Sequence, residues 1–228
     1  MKDWSNSNIL AIDSSSRSLR LGLAFGVDRL VKSDEVVQQS HAQVIVKKIS
    51  ELLQSAAIDK RQLDGICVCT GPGSFTGLRI GIAAAKGMAV ALDIPVVGVN
   101  LFEIAAYRLH RVDSAVAVVI PLKRDQVFVA SVRHGQPFDG KIRVVPVASL
   151  PAAIGNGAVA GIQFEPGESF PGLKKQDLSA DITYDAGDLI YLGREKLASD
   201  QTDDLSLLEP LYVQKSQAEI KFELRDKS

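Results

Sequence analysis

Two short stretches carry the residue types that phosphate chemistry uses. Asp13 is followed by Ser14, Ser15 and Ser16 in a polar turn after the apolar run Ile9-Leu10-Ala11-Ile12. Hydroxyls and backbone N–H groups in such a turn can hold phosphate oxygens, while the carboxylate positions a metal ion or a water. The same residues can instead close a hairpin through side-chain-to-backbone hydrogen bonds, and spacing alone leaves both readings open. The second stretch is Gly71-Pro72-Gly73-Ser74-Phe75-Thr76-Gly77. Its glycines would let a helix start present N–H groups to an anion, yet the run matches neither GxxxxGKS/T nor GxGxxG. Gly73 to Gly77 imitates the GxSxG nucleophile elbow, but Phe75 stands where that motif needs serine.

Other reactive side chains are sparse. His41, His110 and His134 have no histidine or cysteine at metal-binding spacing. Cys67 and Cys69 share one face of a strand, cannot easily bridge each other, and read as reduced core cysteines. A metal-binding CxC pair would need a second cysteine pair, and nothing marks a nucleophile for a Ser-His-Asp triad. No catalytic residue and no metal ligand is therefore assigned.

The elements that must position the two stretches can be read in order. Ile9–Ile12 forms a strand, and Leu19, Leu21 and Leu23 alternate with Arg20, Gly22 and Ala24 as in a half-buried strand. Gly26-Val27-Asp28 turns the chain into a third strand over Leu30–Val37. A helical stripe follows from His41 to Ala57, with Ala42, Ile45, Ile49, Leu52 and Ala56 on one side. Val46, Leu53 and Ala57 widen it, which points to a second contact surface. The strand Ile66–Cys69 then runs into the glycine turn and a helix starting at Ser74 or Thr76 and ending near Asp93, before Pro95. Gly77, Gly81, Ala85 and Ala89 recur every fourth position along this helix. With Gly87 they place three glycines in a helix, each costing about 1 kcal/mol relative to alanine. A close helix approach would offset that cost, either inside this chain's own core or at the face of another subunit. With the strand Val96–Val99, the first hundred residues read β-β-β-α-β-α-β.

A second lobe begins near Ala115. Val116–Ile120 and Val127–Val132 are strands around a Lys123-Arg124-Asp125 turn. A shift of about 108 residues lays Ile12 on Ile120 and Leu19 and Leu21 on Val127 and Val129, the pattern of a duplicated lobe. Val144–Val147 can form a third strand and Asp185–Ala198 a helix with Leu189, Leu192 and Leu197 apolar. Residues 151–183 give no clear assignment, and the charged tail from Glu219 reads as frayed.

The 228 residues, 46% hydrophobic and 23% charged, suit an ordinary globular protein of one large domain or two lobes. No apolar run reaches the roughly 18 residues of a membrane span. The polar start shows no signal peptide, and the expected location is cytoplasmic. A net charge of −1 leaves no electrostatic footprint for nucleic acid.

The run GPGSFTGLRIGIAAAKGMAVALDIPVVGVN, with ILAIDSSS near the start and EPLYV near the end, closely resembles the TsaB (YeaZ) family. Its members are bacterial partners in making the threonylcarbamoyl modification of tRNA adenosine 37. The match is good over residues 1–105 and loose beyond them. The resemblance implies an α/β protein of the actin-like ATPase (ASKHA) fold. Its two RNase H-like lobes would be residues 1–105 and a smaller, less regular 106–228. In the family's catalytic relative, TsaD, the segment after the glycine helix reads VNHLEAH, and its two histidines bind a metal. Here the run is Val99-Asn100-Leu101-Phe102-Glu103-Ile104-Ala105, with Leu101 and Ala105 at the histidine positions, and neither side chain has a lone pair to give. The family's IDAR-like turn in the second lobe is Ile120-Pro121-Leu122-Lys123 here, without its acid.

What the resemblance implies is a non-catalytic scaffold and dimerisation subunit that docks a TsaD-like catalytic subunit. A TsaE-like ATPase would join the larger complex, tRNA would be met only through that complex, and no membrane would be involved. The implied interface is Val46, Leu53, Gly77, Gly81, Ala85 and Ala89, with self-association through the same helices. No cofactor is expected to be tightly bound. Nucleotide at Asp13, Ser14, Ser15 and Ser16, or ATP or ADP at the partner interface, are the ligand expectations. The competing class is an enzyme, either a nucleotide hydrolase using Asp13 or a glycoprotease-like peptidase.

Overall fold

The computed structural model describes residues 2–38, 40–109, 112, 114–123, 125–133, 135–136, 138–154, 158–162 and 180–212. Two five-stranded sheets organise the chain. The first comprises β1 (Ile9–Asp13), β2 (Ser18–Phe25), β3 (Arg29–Val36), β4 (Gly65–Gly71) and β5 (Val96–Asn100), in the order β3-β2-β1-β4-β5. β1 pairs antiparallel with β2, Ile12 opposite Leu21, and parallel with β4, Leu10 beside Ile66. The second contains β6 (Val116–Lys123), β7 (Gln126–Val132), β8 (Arg143–Pro146), β9 (Val159–Ile162) and β10 (Ala180–Ile182) in the order β10-β9-β6-β7-β8. Counted from each lobe's own first strand, the two orders and their parallel and antiparallel pairings are the same. The duplication read from the pattern around Ile12 and Ile120 is thus a repeat of topology.

The helices explain why so many strand positions are apolar. α1 (His41–Ser55) and α2 (Phe75–Leu92) cover the outer face of the first sheet, where Leu10, Ile12, Leu21 and Val68 meet Ile45, Ile49, Ile82 and Ala85. Alternate residues Ile9, Ala11, Cys67 and Val97 turn the other way. They pack with α3 (Leu101–Arg108) and α5 (Ala186–Ala198), which also meet Val118, Ile120 and Ala130 of the second sheet. α4 (Leu150–Ile154) lies over the outer face of the second sheet beside Val119 and Val129. Both faces of the central strands are therefore buried, as their continuous apolar runs require. β2 departs from its half-buried reading for this reason. α5 covers its second face so closely that a Cβ on Gly22 would come within 2.8 Å of the Ala186 Cβ. α3 spans the boundary drawn between residues 105 and 106, and α5 follows the second sheet in sequence yet packs on the first.

Residues 203–211, which run into the EPLYV motif, return to the first sheet and cover the open edge of β5. The Asp203 N–H donates to the Val96 carbonyl at 3.0 Å, and its carboxylate accepts the Gly98 N–H at 2.7 Å. Leu208 enters the core and the Leu211 N–H donates to the Thr70 carbonyl at 2.8 Å. These contacts satisfy an edge that would otherwise invite foreign strands. Residues 163–179, His110, His134 and the tail from residue 213, including the charged run from Glu219, lie outside the described residues. α2 has the length and apolar composition of a membrane span, but its inner face packs on β4, β1 and β5.

Cys67 and Cys69 are unbridged and fully buried in the layer between the sheets. Burial pushes the Cys67 thiol up from 9.0 to about 12 and the Cys69 thiol well above its ordinary value. The folded chain thus keeps protons that the unfolded chain releases near pH 9, so stability should fall as pH climbs from 9 towards 12. We expect neither thiol to react with a thiol-specific reagent at pH 8 until denaturant unfolds the chain. Rapid labelling of the native protein would contradict this burial.

Candidate functional site

The two stretches with phosphate-type chemistry meet, and they satisfy each other. The backbone after Asp13 lies against the start of α2. The Ser14 hydroxyl donates to the Gly77 carbonyl at 2.8 Å, and the Ser74 N–H donates to the Ser15 carbonyl at 2.6 Å. Ser74 also caps α2 by accepting the Gly77 N–H at 3.2 Å. The glycines make this approach possible. A Cβ on Gly73 would lie 2.3 Å from the Ser15 carbonyl oxygen, and one on Gly77 would lie 2.1 Å from that of Ser14.

Asp13 is fully buried. Its Oδ1 accepts the Ser15 N–H at 2.8 Å and its Oδ2 accepts the Tyr184 hydroxyl at 2.8 Å. Arg20 reaches the same oxygen at 3.5 Å, bonds the Ser16 hydroxyl at 3.1 Å and pairs with Asp34 at 2.9 Å. Burial works against the charge on Arg20, but Tyr184, Asp13 and Asp34 outweigh it and hold the guanidinium protonated. The turn thus joins the lobes, because Tyr184 precedes α5. Lys32 to Asp185 at 2.7 Å and Arg108 to Asp188 at 2.6 Å fasten the same segment. Of the two readings of Asp13–Ser16, this geometry fits the hairpin-closing one. A phosphate held there would have to displace bonds the turn already makes.

The positions corresponding to the metal-binding histidines are also committed. Leu101 and Ala105 are fully buried in the layer between the sheets. Asn100 caps α3 by accepting the Phe102 and Glu103 N–H groups at 3.0 Å, while Glu103 accepts the Asn100 N–H at 2.7 Å. Among the described residues no cluster of three or more histidine, cysteine, aspartate or glutamate side chains is placed to hold a metal. His41 opens α1 behind its Ser40 cap.

Among the described residues a groove stays open between α1 and α2, a cavity of about 650 Å³. Leu53 and Ile49 form its floor, Val46, Ala83, Ala84 and Gly87 its sides, and Asp59 and Lys60 part of its rim. Val46 is 73% exposed, and Val90 on the next turn after Gly87 is 71% exposed. The expected interface therefore divides. Val46 and Leu53 border the groove, whereas Gly77, Gly81, Ala85 and Ala89 are buried on the inner side of α2. The reason is the Ser14 turn: a Cβ on Gly81 would sit 2.2 Å from the Ser14 hydroxyl oxygen. Close packing inside this chain accounts for that stripe, and as it stands no partner can reach it. A parallel run two residues on, Ala83, Gly87 and Val90, faces outward instead. Its signal in the sequence is Gly87, a helix glycine outside the first stripe.

Two lobes of matching order around shared helices define an α/β protein of the actin-like ATPase fold, with two RNase H-like lobes. The family model for TsaD, tRNA N6-adenosine threonylcarbamoyltransferase, matches residues 33–153. The TsaB tRNA threonylcarbamoyladenosine biosynthesis protein of Haemophilus influenzae is 32% identical over 132 residues, 57% of this chain and 56% of that one. Its Bacillus subtilis counterpart is 31% identical over 120 residues, 53% and 52% of the two chains. The solved structure of YeaZ from Pseudomonas aeruginosa superposes with a TM-score of 0.71 at 25% identity, over 91% of this chain and 100% of that one. This chain belongs to the TsaB (YeaZ) family, within the wider group that the TsaD model describes. It spans about half the length of the curated relatives it matches.

Proposed function

We propose that this chain is a non-catalytic subunit of the cytoplasmic assembly that forms N6-threonylcarbamoyladenosine at tRNA position 37. Its part is to dock a TsaD-like catalytic subunit through the groove between α1 and α2. The observation that carries the reading is the exposed apolar surface of Val46 and Ala83 in the groove and of Val90 beside it, around Gly87, where a Cβ would meet nothing within 4 Å. Small residues let a partner helix approach closely there, and aliphatic side chains supply the buried area. In the partner's absence a second copy of this chain would use the same groove. A TsaE-like ATPase and tRNA would join through the assembled complex, and any ATP or ADP would sit at the partner interface and not at Asp13.

Against an enzymatic role stand the full burial of Asp13 and the apolar side chains of Leu101 and Ala105. The purified chain alone should neither hydrolyse ATP nor transfer a carbamoyl group. Modification should appear when a TsaD-like subunit and the rest of the pathway are supplied. ATP hydrolysis by the isolated chain, removed by Asp13→Asn, would overturn the proposal in favour of a nucleotide hydrolase.

A further inference from the structure

A second cavity, of about 580 Å³, opens between α3, α5 and the segment after β7, away from the α1–α2 groove. Its volume lies within the range of about 300–1,000 Å³ common to small-molecule sites. The walls are fixed in advance. The rings of Tyr107 and Tyr191 stack with centroids 4.6 Å apart and planes 24° apart. Phe138 stacks on the buried Phe102 at 5.2 Å. Lys196 is held by Glu103 at 2.8 Å and by the Gly98 carbonyl at 2.7 Å, so its charge is already matched.

Glu195 supplies the charge that Lys196 does not neutralise. Its carboxylate lies close enough to the Tyr191 hydroxyl to raise the phenol pKa. Gln136 and Gln201 add amide oxygens at the wall. Among the described residues the lining thus combines aromatic faces, a carboxylate outside any ion pair and amide acceptors, and its ammonium, Lys196, is engaged. Phosphates and nucleotides are disfavoured by that charge. A guanidinium suits it: a flat cation stacks on an aromatic face, and its fork of N–H donors matches a carboxylate.

We propose that this cavity binds a guanidinium-bearing ligand, stacked against the Tyr107–Tyr191 pair and paired with Glu195. The guanidinium is carried either by a free small molecule or by an arginine side chain of a polypeptide. The test uses the full chain with its four tyrosines labelled for NMR. Titration with N-butylguanidinium should shift the Tyr107 and Tyr191 ring signals to saturation and leave Tyr184 and Tyr212 in place. Glu195→Gln, at an exposed helix position, should keep the fold and weaken binding by about tenfold, because the charge-assisted bonds are lost. n-Pentylammonium should bind more weakly than the guanidinium, and inorganic phosphate should give no shift. Tighter binding of acetyl-Gly-Arg-Gly-amide than of N-butylguanidinium assigns the guanidinium to a polypeptide, and weaker binding assigns it to a free molecule. Absence of saturable shifts with both probes, unchanged affinity in Glu195→Gln, equal binding of n-pentylammonium, or binding of phosphate would each overturn the proposal.

Discussion

Gly81→Leu should unfold this protein at a markedly lower temperature than the wild type, although leucine is the better helix former. The helix gain is about 1 kcal/mol. Against it stands the first carbon alone, which would lie 2.2 Å from the Ser14 hydroxyl oxygen and 3.6 Å from Ile12. That hydroxyl is bonded to the Gly77 carbonyl, so moving it breaks the contact that seats α2 on the Asp13 turn. Overpacking costs about 1–3 kcal/mol in ordinary cores and more where little can yield. A net loss of about 3 kcal/mol would lower Tm by about 6–12 °C in a chain of this size. Gly77→Ala tests the same contact with one methyl group, since the atom it meets at 2.1 Å is the Ser14 backbone oxygen. A Gly81→Leu protein melting at or above the wild-type temperature would contradict the internal role of this face.

Gly87→Leu, six residues along the same helix, should do the reverse. A Cβ there meets nothing within 4 Å, and the side chain would project over the groove beside Val46 and Ala84. The monomer should keep its Tm or gain a degree or two from the helix preference of about 1 kcal/mol. Assembly should suffer, because a bulky side chain holds an approaching helix away from Leu53 and Ile49 at the floor. Losing close contact at the centre of such an interface removes at least about 2 kcal/mol, or about thirtyfold in affinity. Self-association through the groove should weaken with it.

Much of the first lobe was legible because its signals are local. The β-β-β-α-β-α-β order, the Ser74 cap and the end of α2 at Asp93 all follow from turn residues and periodicity. The full burial of β2 was not legible, because the helix that covers it, α5, lies more than 150 residues further on. The role of the inner face of α2 is not legible in the sequence for a related reason. Gly77 and Gly81 announce that something comes close, but a sequence does not say whether the neighbour is another subunit or the Ser14 turn. The Asp13–Tyr184 bond is likewise invisible, since it depends on how the second lobe returns to the first. In the second lobe the strands around Ile120 were readable from alternation. Its first helix, α4, is only a short element, Leu150–Ile154, nearly all of it within the stretch 151–183 that gave no clear pattern.

Calorimetric titration of the TsaD-like subunit into this chain tests the docking claim most directly, with wild type, Gly87→Leu and Gly81→Leu compared below the melting temperature of each. Saturable binding is expected for the wild type, and a loss of at least about thirtyfold in affinity for Gly87→Leu with its fold intact. Gly81→Leu should melt early but still bind while folded, since its side chain faces inward. Full affinity in Gly87→Leu, or lost affinity in a folded and thermally unaltered Gly81→Leu, would contradict the docking claim.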